Sequence, residues 1–238
     1  MSNNDFCKLQ NWYPELSGYT FLTSFVKLQP EEVEALADGA VGGPIAYNVI
    51  NRMKQPMHYM PGNCFVSVDS CAPTDTERFK AKRGSVHSPE SAWRFLALSS
   101  KVRKAAAKKE VTNICIRPYR RMNQTREFRL FVHEGELVAV SQYWLIRHFR
   151  RLEGIKDKLW NHLNNFFNSI SWNLPAKNFV MDVYMTSSNK ILIIDINPWG
   201  GDTDPLLLSR WDRDWSKKIG IVLMPPPTKI FGEVNVSF

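Results

Sequence analysis

Two short apolar segments that each lead into an acidic residue constrain this chain more than any other feature of its sequence. Asp182 follows the run 179–181, and Asp195 follows the four aliphatic residues 191–194. Such runs predict buried strands, and the turn residues 187–189 between them predict a hairpin. An acid directly after a buried run costs free energy unless it is paired or bound to a metal. The fold must therefore supply each acid with a partner.

The spacing of the polar groups predicts that they gather on one face of this hairpin. Residues two apart on a strand point the same way, so Asp195 and Asn197 share a face, and strand pairing adds Asp182. Carboxylate and amide oxygens suit a Mg²⁺ ion that bridges nucleotide phosphates. The pattern therefore predicts a metal site formed by these three residues. The alternative is a buried strand that ends at a turn, which Asn197-Pro198 and Gly200-Gly201 mark on either interpretation.

Motifs between residues 12 and 211 resemble those of one known family. In order, they are Trp12-Tyr13-Pro14, Phe65, Ala72-Pro73, Arg117, the run 127–132, Ser141-Gln142, the run 182–184, the run 195–200, and Thr203-Asp204 with Leu206, Leu207 and Trp211. This series resembles the cell division cycle protein 123 family, a branch of the ATP-grasp superfamily. Within that family, we expect a bacterial or viral member similar to RNA ligases.

The resemblance implies an α+β fold of the ATP-grasp type, in which two α+β lobes hold ATP in the cleft between them. We expect residues 1–110 to form the N-terminal lobe with a basic segment, and residues 111–238 the C-terminal lobe with the metal and ATP motif. A strand over residues 111–117 is expected to enter the second lobe. Residues 233–238 are predicted to form an edge strand.

The same resemblance implies that ATP and Mg²⁺ are the cofactors. The expected cofactor-binding residues are Arg117, Glu127, Arg129, Asp182, Asp195 and Asn197, of which the last three are the expected metal ligands. Arg117 and Arg129 match family arginines that approach the phosphates. This role suits arginine because its planar fork can donate two hydrogen bonds to one phosphate.

One position departs from the family pattern. The family usually has a phosphate-binding Lys shortly after the position of Phe65, and this chain has Ser67 there. Three cations later in the chain could supply the missing positive charge: Lys80, Lys82 and Arg83. Gly84 would let the backbone of that segment approach phosphates closely.

The charge of the chain is concentrated in one part of it. The whole sequence carries a formal net charge of +8, and residues 78–121 alone hold 13 basic and two acidic residues. A basic block of this density is typical of proteins that bind a polyanion, and we expect RNA as the partner. A solvated basic face without a partner is the alternative.

Other sequence features exclude several classes of protein. The four cysteines form no C-x-x-C pair and the five histidines are scattered, so a structural zinc site is not expected. No signal peptide is evident, and no apolar run is long enough to span a bilayer. We therefore expect a cytoplasmic protein that does not associate with membranes.

The first functional hypothesis is an ATP- and Mg²⁺-dependent RNA ligase. It would join an RNA 5′-phosphate to a 3′-hydroxyl through an adenylylated intermediate, with Lys80 or Lys82 as the adenylated residue. Arg117 and Arg129 would stabilise the charge that develops on the phosphates. The basic segment 78–121 would bind the RNA backbone.

Two other functions remain open. Eukaryotic members of the family are assembly chaperones for the gamma subunit of translation initiation factor 2, and they use ATP for binding. This chain differs from them because it is shorter, lacks their long acidic insertion and is basic. The third hypothesis is ligation of a carboxylate to an amine or thiol through an acyl phosphate. Release of ADP instead of AMP would favour it over the RNA-ligase hypothesis.

Overall fold

The computed structural model describes residues 5–174 and 176–227, and within these ranges the chain forms two β-sheets with flanking helices. The helices are α1 (Leu9–Leu16), α2 (Pro30–Ala37), α3 (Pro44–His58), α4 (Glu77–Lys82), α5 (Pro89–Ala97), α6 (Ser100–Ala107), α7 (Arg150–Glu153) and α8 (Lys156–Ile170). The strands are β1 (Ser24–Lys27), β2 (Cys64–Val68), β3 (Asn113–Pro118), β4 (Glu127–His133), β5 (Glu136–Gln142), β6 (Phe179–Met185), β7 (Ile191–Pro198) and β8 (Gly220–Val222). None of the described helices is long and apolar enough to cross a membrane. The edge strand predicted over residues 233–238 lies outside the described residues.

The first sheet has three antiparallel strands in the order β1-β3-β2. Its core combines the central strand, through Ile114 and Ile116, with one face of each helix from α2, α3, α5 and α6. Trp93 of α5 is fully buried there, and its indole N–H donates to the backbone carbonyl of Ala40 at 2.8 Å. The sequence prediction that residues 111–117 enter the second lobe is wrong, because β3 pairs on both sides with strands of the first sheet.

The second sheet has five strands in the order β7-β6-β4-β5-β8, and only the β5–β8 pair is parallel. Side chains alternate between its two faces. On β4, Phe128 and Leu130 face a core that Phe167 of α8 and Trp12 of α1 help to form. Arg129, between them in sequence, faces the other way. One face of this sheet is therefore an apolar core, and the other carries the polar residues of β4, β6 and β7.

The two sheets exchange segments of the chain. Helix α1 packs in the core of the second sheet, and Thr20 forms a parallel bridge with Ile193 at the edge of β7. The Thr20 hydroxyl donates to the Ile193 carbonyl at 2.6 Å. The domain limits 1–110 and 111–238 stay a prediction. Residues early in the chain lie on the second sheet, and β3 lies in the first, so the two sheets do not divide at residue 110.

Aromatic residues cover one end of the polar face of the second sheet. Trp199 lies 4.9 Å from Trp211 and 4.8 Å from Trp215 between ring centroids, and Trp215 stacks on Phe131 of β4 at 5.7 Å. This cluster covers the Phe131 end of β4 on this face and leaves the Arg129 end for charged side chains.

Gly84 lies in the loop after α4, where its backbone packs closely against two aromatic rings. Its backbone has φ of +78°, and a Cβ at this position would lie 2.8 Å from a ring carbon of Phe65 and 3.1 Å from Phe95. The close approach predicted from the sequence is thus made to side chains of the first core. Glycine is required here by both the left-handed backbone and the space.

We predict that Gly84→Ala destabilises the protein more than Gly62→Ala. Gly62 also has positive φ, at +76°, but its Cβ would meet nothing within 4 Å. Gly62→Ala is expected to cost about 1 kcal/mol for backbone strain alone, and Gly84→Ala about 1–3 kcal/mol more for overpacking. Urea unfolding of both variants measures the difference. Equal losses would show that the rings move aside freely.

Candidate functional site

Four strands of the second sheet place polar side chains in one row across its open face. The strand register pairs Ser141 with Arg129, Arg129 with Asp182, and Asp182 with Asp195. Directly paired residues on neighbouring strands project from the same face, so these side chains are neighbours. The predicted pairing of the two acid-bearing strands is confirmed. We refer to Asp182, Asp195 and Asn197 as the oxygen cluster.

Arg129 and Asp182 form a buried, two-pronged ion pair in the middle of the row. Arg129 Nε donates to Asp182 Oδ1 at 2.7 Å, and Nη2 donates to Oδ2 at 2.8 Å. The side chains are only 8% and 7% exposed. Burial opposes the guanidinium charge, but the Asp182 carboxylate outweighs it and raises the pKa of Arg129 above its usual range. This geometry is the strong bidentate form of an arginine–carboxylate pair.

The other two members of the oxygen cluster lie next to this pair. Asn197 donates through its side-chain amide to Asp182 Oδ2 at 3.1 Å. Asp195 Oδ1 accepts a hydrogen bond from the backbone N–H of Ile196 at 3.0 Å. Burial raises the pKa of Asp195 to about 7, and the neighbouring Asp182 carboxylate adds to the rise. Two carboxylates therefore share one low-dielectric site, in which the charged form of Asp195 is disfavoured.

Arg117 reaches the row from the first sheet by way of a β-bulge. The register shifts between Asp182 and Val183, and this shift leaves Ile194 of β7 without a partner across the ladder. Arg117 Nη1 donates to the carbonyl of Ile194 at 2.8 Å, and its Nε donates to the Thr23 hydroxyl at 3.2 Å. Burial lowers the pKa of Arg117, and the charge of Asp195 opposes that shift. Arg117 thus ties the first sheet to the strand that carries Asp195.

Glu127 lies two residues before Arg129 on the same face of β4 and is also buried. Burial raises its pKa to about 7, and the charge of Asp182 adds to the rise. The ring of Tyr143, which follows β5, lies under the Arg129 guanidinium, with 5.3 Å from Cζ to the ring centroid. Asp182, followed by burial, raises the pKa of Tyr143 above its usual range. Burial and the Asp182 charge therefore both disfavour ionisation of Glu127 and Tyr143.

The two lysines predicted to be catalytic lie on the exposed surface of α4. Lys80 forms an ion pair with Glu77 at 2.6 Å, and both of these side chains are mostly in solvent. Lys82 is also exposed. Ser67 is buried on β2, opposite Cys115 of β3. The roles of Lys80 and Lys82 stay a prediction that no contact with the oxygen cluster supports among the residues described.

Tyr143 and Trp144, which follow β5, lie at the open side of the site together with Arg83. Sequence reasoning missed both aromatic residues. Arg83 lies over the ring of Trp144, with 5.5 Å from Cζ to the ring centroid. With its amide oxygen turned toward Arg83, Gln124 accepts from both terminal nitrogens at 3.2 Å. The signal for Tyr143 and Trp144 was their position directly after the Ser141-Gln142 motif.

The basic segment 78–121 keeps most of its charge on the surface, since eleven of its 13 basic residues are exposed, Arg78 is half-buried and Arg117 is buried. The Nε atoms of Arg78 and Arg103 donate to the backbone carbonyls of Ser85 and Ala37. Its exposed part includes a face of α6 and its C-cap with Lys101, Lys104 and Lys108. Most of the charge counted along this segment is therefore presented to solvent, which a solvated basic face without a partner explains equally well.

The donor chemistry of the oxygen cluster fits Mg²⁺. Among residues 5–174 and 176–227, no group of three or more His, Cys, Asp and Glu side chains could hold a metal ion. The oxygen cluster instead combines two carboxylates with one amide, which is a hard-oxygen donor set. A divalent cation would also stabilise the two carboxylates that now crowd each other. The assignment of these three residues as metal ligands stays a prediction.

Comparison with known proteins gives the chain relatives in one family. The sequence model of the D123 family matches residues 63–214. A translation initiation factor eIF2 assembly protein of Xenopus tropicalis is 38% identical over 94 residues, which are 38% of this chain and 28% of that protein. Cell division cycle protein 123 of Phaeosphaeria nodorum is 38% identical over 99 residues, which are 41% and 26% of the two chains. The matched region thus spans less than a third of these relatives.

A solved structure shares the fold over nearly the whole chain. Cdc123 from Schizosaccharomyces pombe superimposes with a TM-score of 0.77, covers 92% of this chain and 96% of its own, and is 21% identical. The predicted α+β fold is confirmed by this match and by the two sheets. The D-Ala:D-Ser ligase VanG of Enterococcus faecalis has a TM-score of 0.47, too low to support an argument.

The comparisons correct the predicted function. The prediction of an RNA ligase is wrong, because relatives from Xenopus, Danio rerio and Kluyveromyces lactis are named eIF2 assembly proteins. The expectation of a bacterial or viral member is not supported either, since these organisms are eukaryotes. RNA as the partner of segment 78–121 is likewise unsupported. The charge of that segment misled the sequence argument.

We predict that Glu127→Gln stabilises the protein relative to wild type at pH 8 but much less at pH 5. The pKa of Glu127 is raised from 4.5 to about 7 in the fold, so the folded state holds a proton that the unfolded state loses between these values. Wild-type stability is therefore lost as pH rises through this window, by on the order of 2 kcal/mol. Urea unfolding at both pH values measures the effect, with exposed Glu136→Gln as control. Parallel pH profiles for wild type and Glu127→Gln would contradict the burial argument.

Proposed function

The chain belongs to the D123 family, and from that premise we propose that it is a nucleotide-dependent assembly protein for translation initiation factor eIF2. The kinship to eIF2 assembly proteins carries the proposal. We further propose the gamma subunit as the part of eIF2 that the chain binds, as the family resemblance implies, and the cytoplasm as the place where it acts. Since the matched region covers only part of those relatives, partner and activity are inferences about this chain.

The nucleotide part of the proposal is supported by the geometry of the oxygen cluster. Asp182, Asp195 and Asn197 would hold Mg²⁺ on the open face of the second sheet. Mg²⁺ would neutralise phosphate charge when a nucleotide binds. Arg129, in the same row as Asp182, offers a guanidinium fork for the phosphates. Arg117 positions β7 from the neighbouring sheet through the Ile194 carbonyl.

The chain's own residues also define the limits of the site. Tyr143 lies below the Arg129 guanidinium, and the ring of Trp144 stacks on Arg83 of the first lobe. These aromatic side chains would shield the phosphate end of the nucleotide from water. We propose that bound ATP joins the two lobes and stabilises a surface for eIF2, without a covalent step at the site.

We predict that Asp195→Asn lowers the affinity for Mg·ATP by about tenfold or more, because one ligand charge of the oxygen cluster is removed. Asp202→Asn is the matched control, since Asp202 is exposed in the loop that follows β7. Isothermal titration of each variant with Mg·ATP measures the effect. An equal affinity of Asp195→Asn and wild type would exclude the oxygen cluster as the metal site.

We predict that the purified chain captures the isolated gamma subunit of eIF2 and that Mg·ATP strengthens the complex. The physical reason is that a nucleotide held between the lobes selects one arrangement of them. Capture is compared with the isolated alpha and beta subunits as controls, at protein concentrations up to about 10 μM, where weak complexes still form. Binding of none of the three subunits would contradict the assembly role even if Mg·ATP binds.

A further inference from the structure

A strained loop lies across the open face of the second sheet, directly beside the oxygen cluster. We refer to residues 203–209 as the strap. Leu206 and Ser209 have φ of +52° and +67°, a left-handed conformation that side-chain-bearing residues adopt only when their surroundings require it. Leu208 is buried in the core with Phe131 and Trp215. The strap is thus held in its conformation by the sheet beneath it.

Two polar side chains of the sheet hold the strap down. Arg129 Nη1 donates to the backbone carbonyl of Asp204 at 2.6 Å. The Ser141 hydroxyl accepts a hydrogen bond from the backbone N–H of Leu207 at 3.3 Å. Ser141 and Arg129 are direct partners across β5 and β4, so both contacts arise from one position of the sheet.

The same guanidinium also binds the oxygen cluster. While Nη1 holds Asp204, Nε and Nη2 hold the two carboxylate oxygens of Asp182. The Asp182 oxygens and the Asp204 carbonyl use three of the five N–H groups of the planar guanidinium, so it cannot turn as a unit toward a new partner and keep all three contacts. A cation that takes the oxygens of Asp182 frees the guanidinium from that carboxylate, and a phosphate that then draws Arg129 toward itself competes with the bond to the strap.

We propose that Arg129 couples occupancy of the oxygen cluster to release of the strap. This inference rests on the proposed binding of Mg·ATP. When Asp182 turns to a metal ion and Arg129 turns to a phosphate, the strap loses its bond to Arg129. It keeps the Ser141 bond, the Leu208 anchor and two hydrogen bonds of Thr203, one to the Pro198 carbonyl and one from the Trp211 indole. The strained turn at Leu206, which lies between these anchors, can then relax. Coupling of this kind is reciprocal, so any group that binds the released strap strengthens Mg·ATP binding, and any contact that holds the strap weakens it.

Hydrogen exchange of the strap amides tests the coupling in the full chain. Addition of Mg·ATP is expected to speed exchange at Leu207 and Leu208 by about tenfold, the equivalent of losing one charge-assisted hydrogen bond. Amides of β4 should keep their protection. Unchanged strap exchange in protein that is saturated with Mg·ATP would overturn the inference while leaving nucleotide binding intact. Absence of Mg·ATP binding in the same titration would instead remove the proposed function, and the coupling with it.

Two variants test the link from its two ends, one in ligand-free protein and one through Mg·ATP affinity. Arg129→Lys keeps the charge but cannot span Asp182 and Asp204, so in ligand-free protein its strap should exchange at the faster rate. Ser141→Ala removes the second contact without touching the oxygen cluster, and it should raise Mg·ATP affinity by a few-fold. Ser169→Ala on α8 is the matched control, because it also removes a hydroxyl-to-backbone hydrogen bond, away from the strap. Wild-type strap exchange in Arg129→Lys, or equal Mg·ATP affinities of Ser141→Ala and Ser169→Ala, would refute the coupling.

Discussion

The buried ion pair of Arg129 and Asp182 joins three parts of the molecule through one guanidinium: the central strand β4, the acid-bearing strand β6 and the loop that follows β7. Its charges are removed from water, so the pair persists because two parallel hydrogen bonds satisfy it. Removal of one partner from such a pair typically costs about 3–5 kcal/mol, since the remaining charge stays buried. Asn197 donates to the Asp182 carboxylate of this pair, Asp195 is paired with Asp182 across the sheet, and Asp204 accepts from the guanidinium of Arg129.

Much of the second sheet could be predicted because its signals are local. The hairpin of β6 and β7 follows from two apolar runs and a turn, and the alternation of side chains puts Asp195 and Asn197 on one face. The partner of Asp182 could not be predicted, because Arg129 lies 53 residues away in sequence. The contact of Arg117 with Ile194 depends on a β-bulge, and no residue type at that position in the sequence predicts the bulge.

Both errors arose where a local pattern is compatible with more than one outcome. The strand predicted over residues 111–117 forms over Asn113–Pro118, but the choice between two sheets depends on partners far along the chain, which the run itself does not encode. The RNA prediction took a dense block of positive charge as the sign of a polyanion partner, but a solvated basic face presents the same exposed charge without one. Kinship to eIF2 assembly proteins overturns the RNA-ligase hypothesis, which length, the missing acidic insertion and charge had favoured over the assembly role.

The exchange of segments between the two sheets affects how the chain can reach its fold. Trp12 and Leu16 are almost completely buried against strands of the second sheet, and Thr20 is bonded to a residue 173 positions later. During synthesis, this early apolar helix has no native surface to cover until β6 and β7 have left the ribosome. Contacts over such separations slow folding and leave intermediates with exposed apolar surface. The nascent chain therefore resembles an unassembled subunit of a larger complex, because it exposes apolar surface until the last strands that cover this surface have been synthesised.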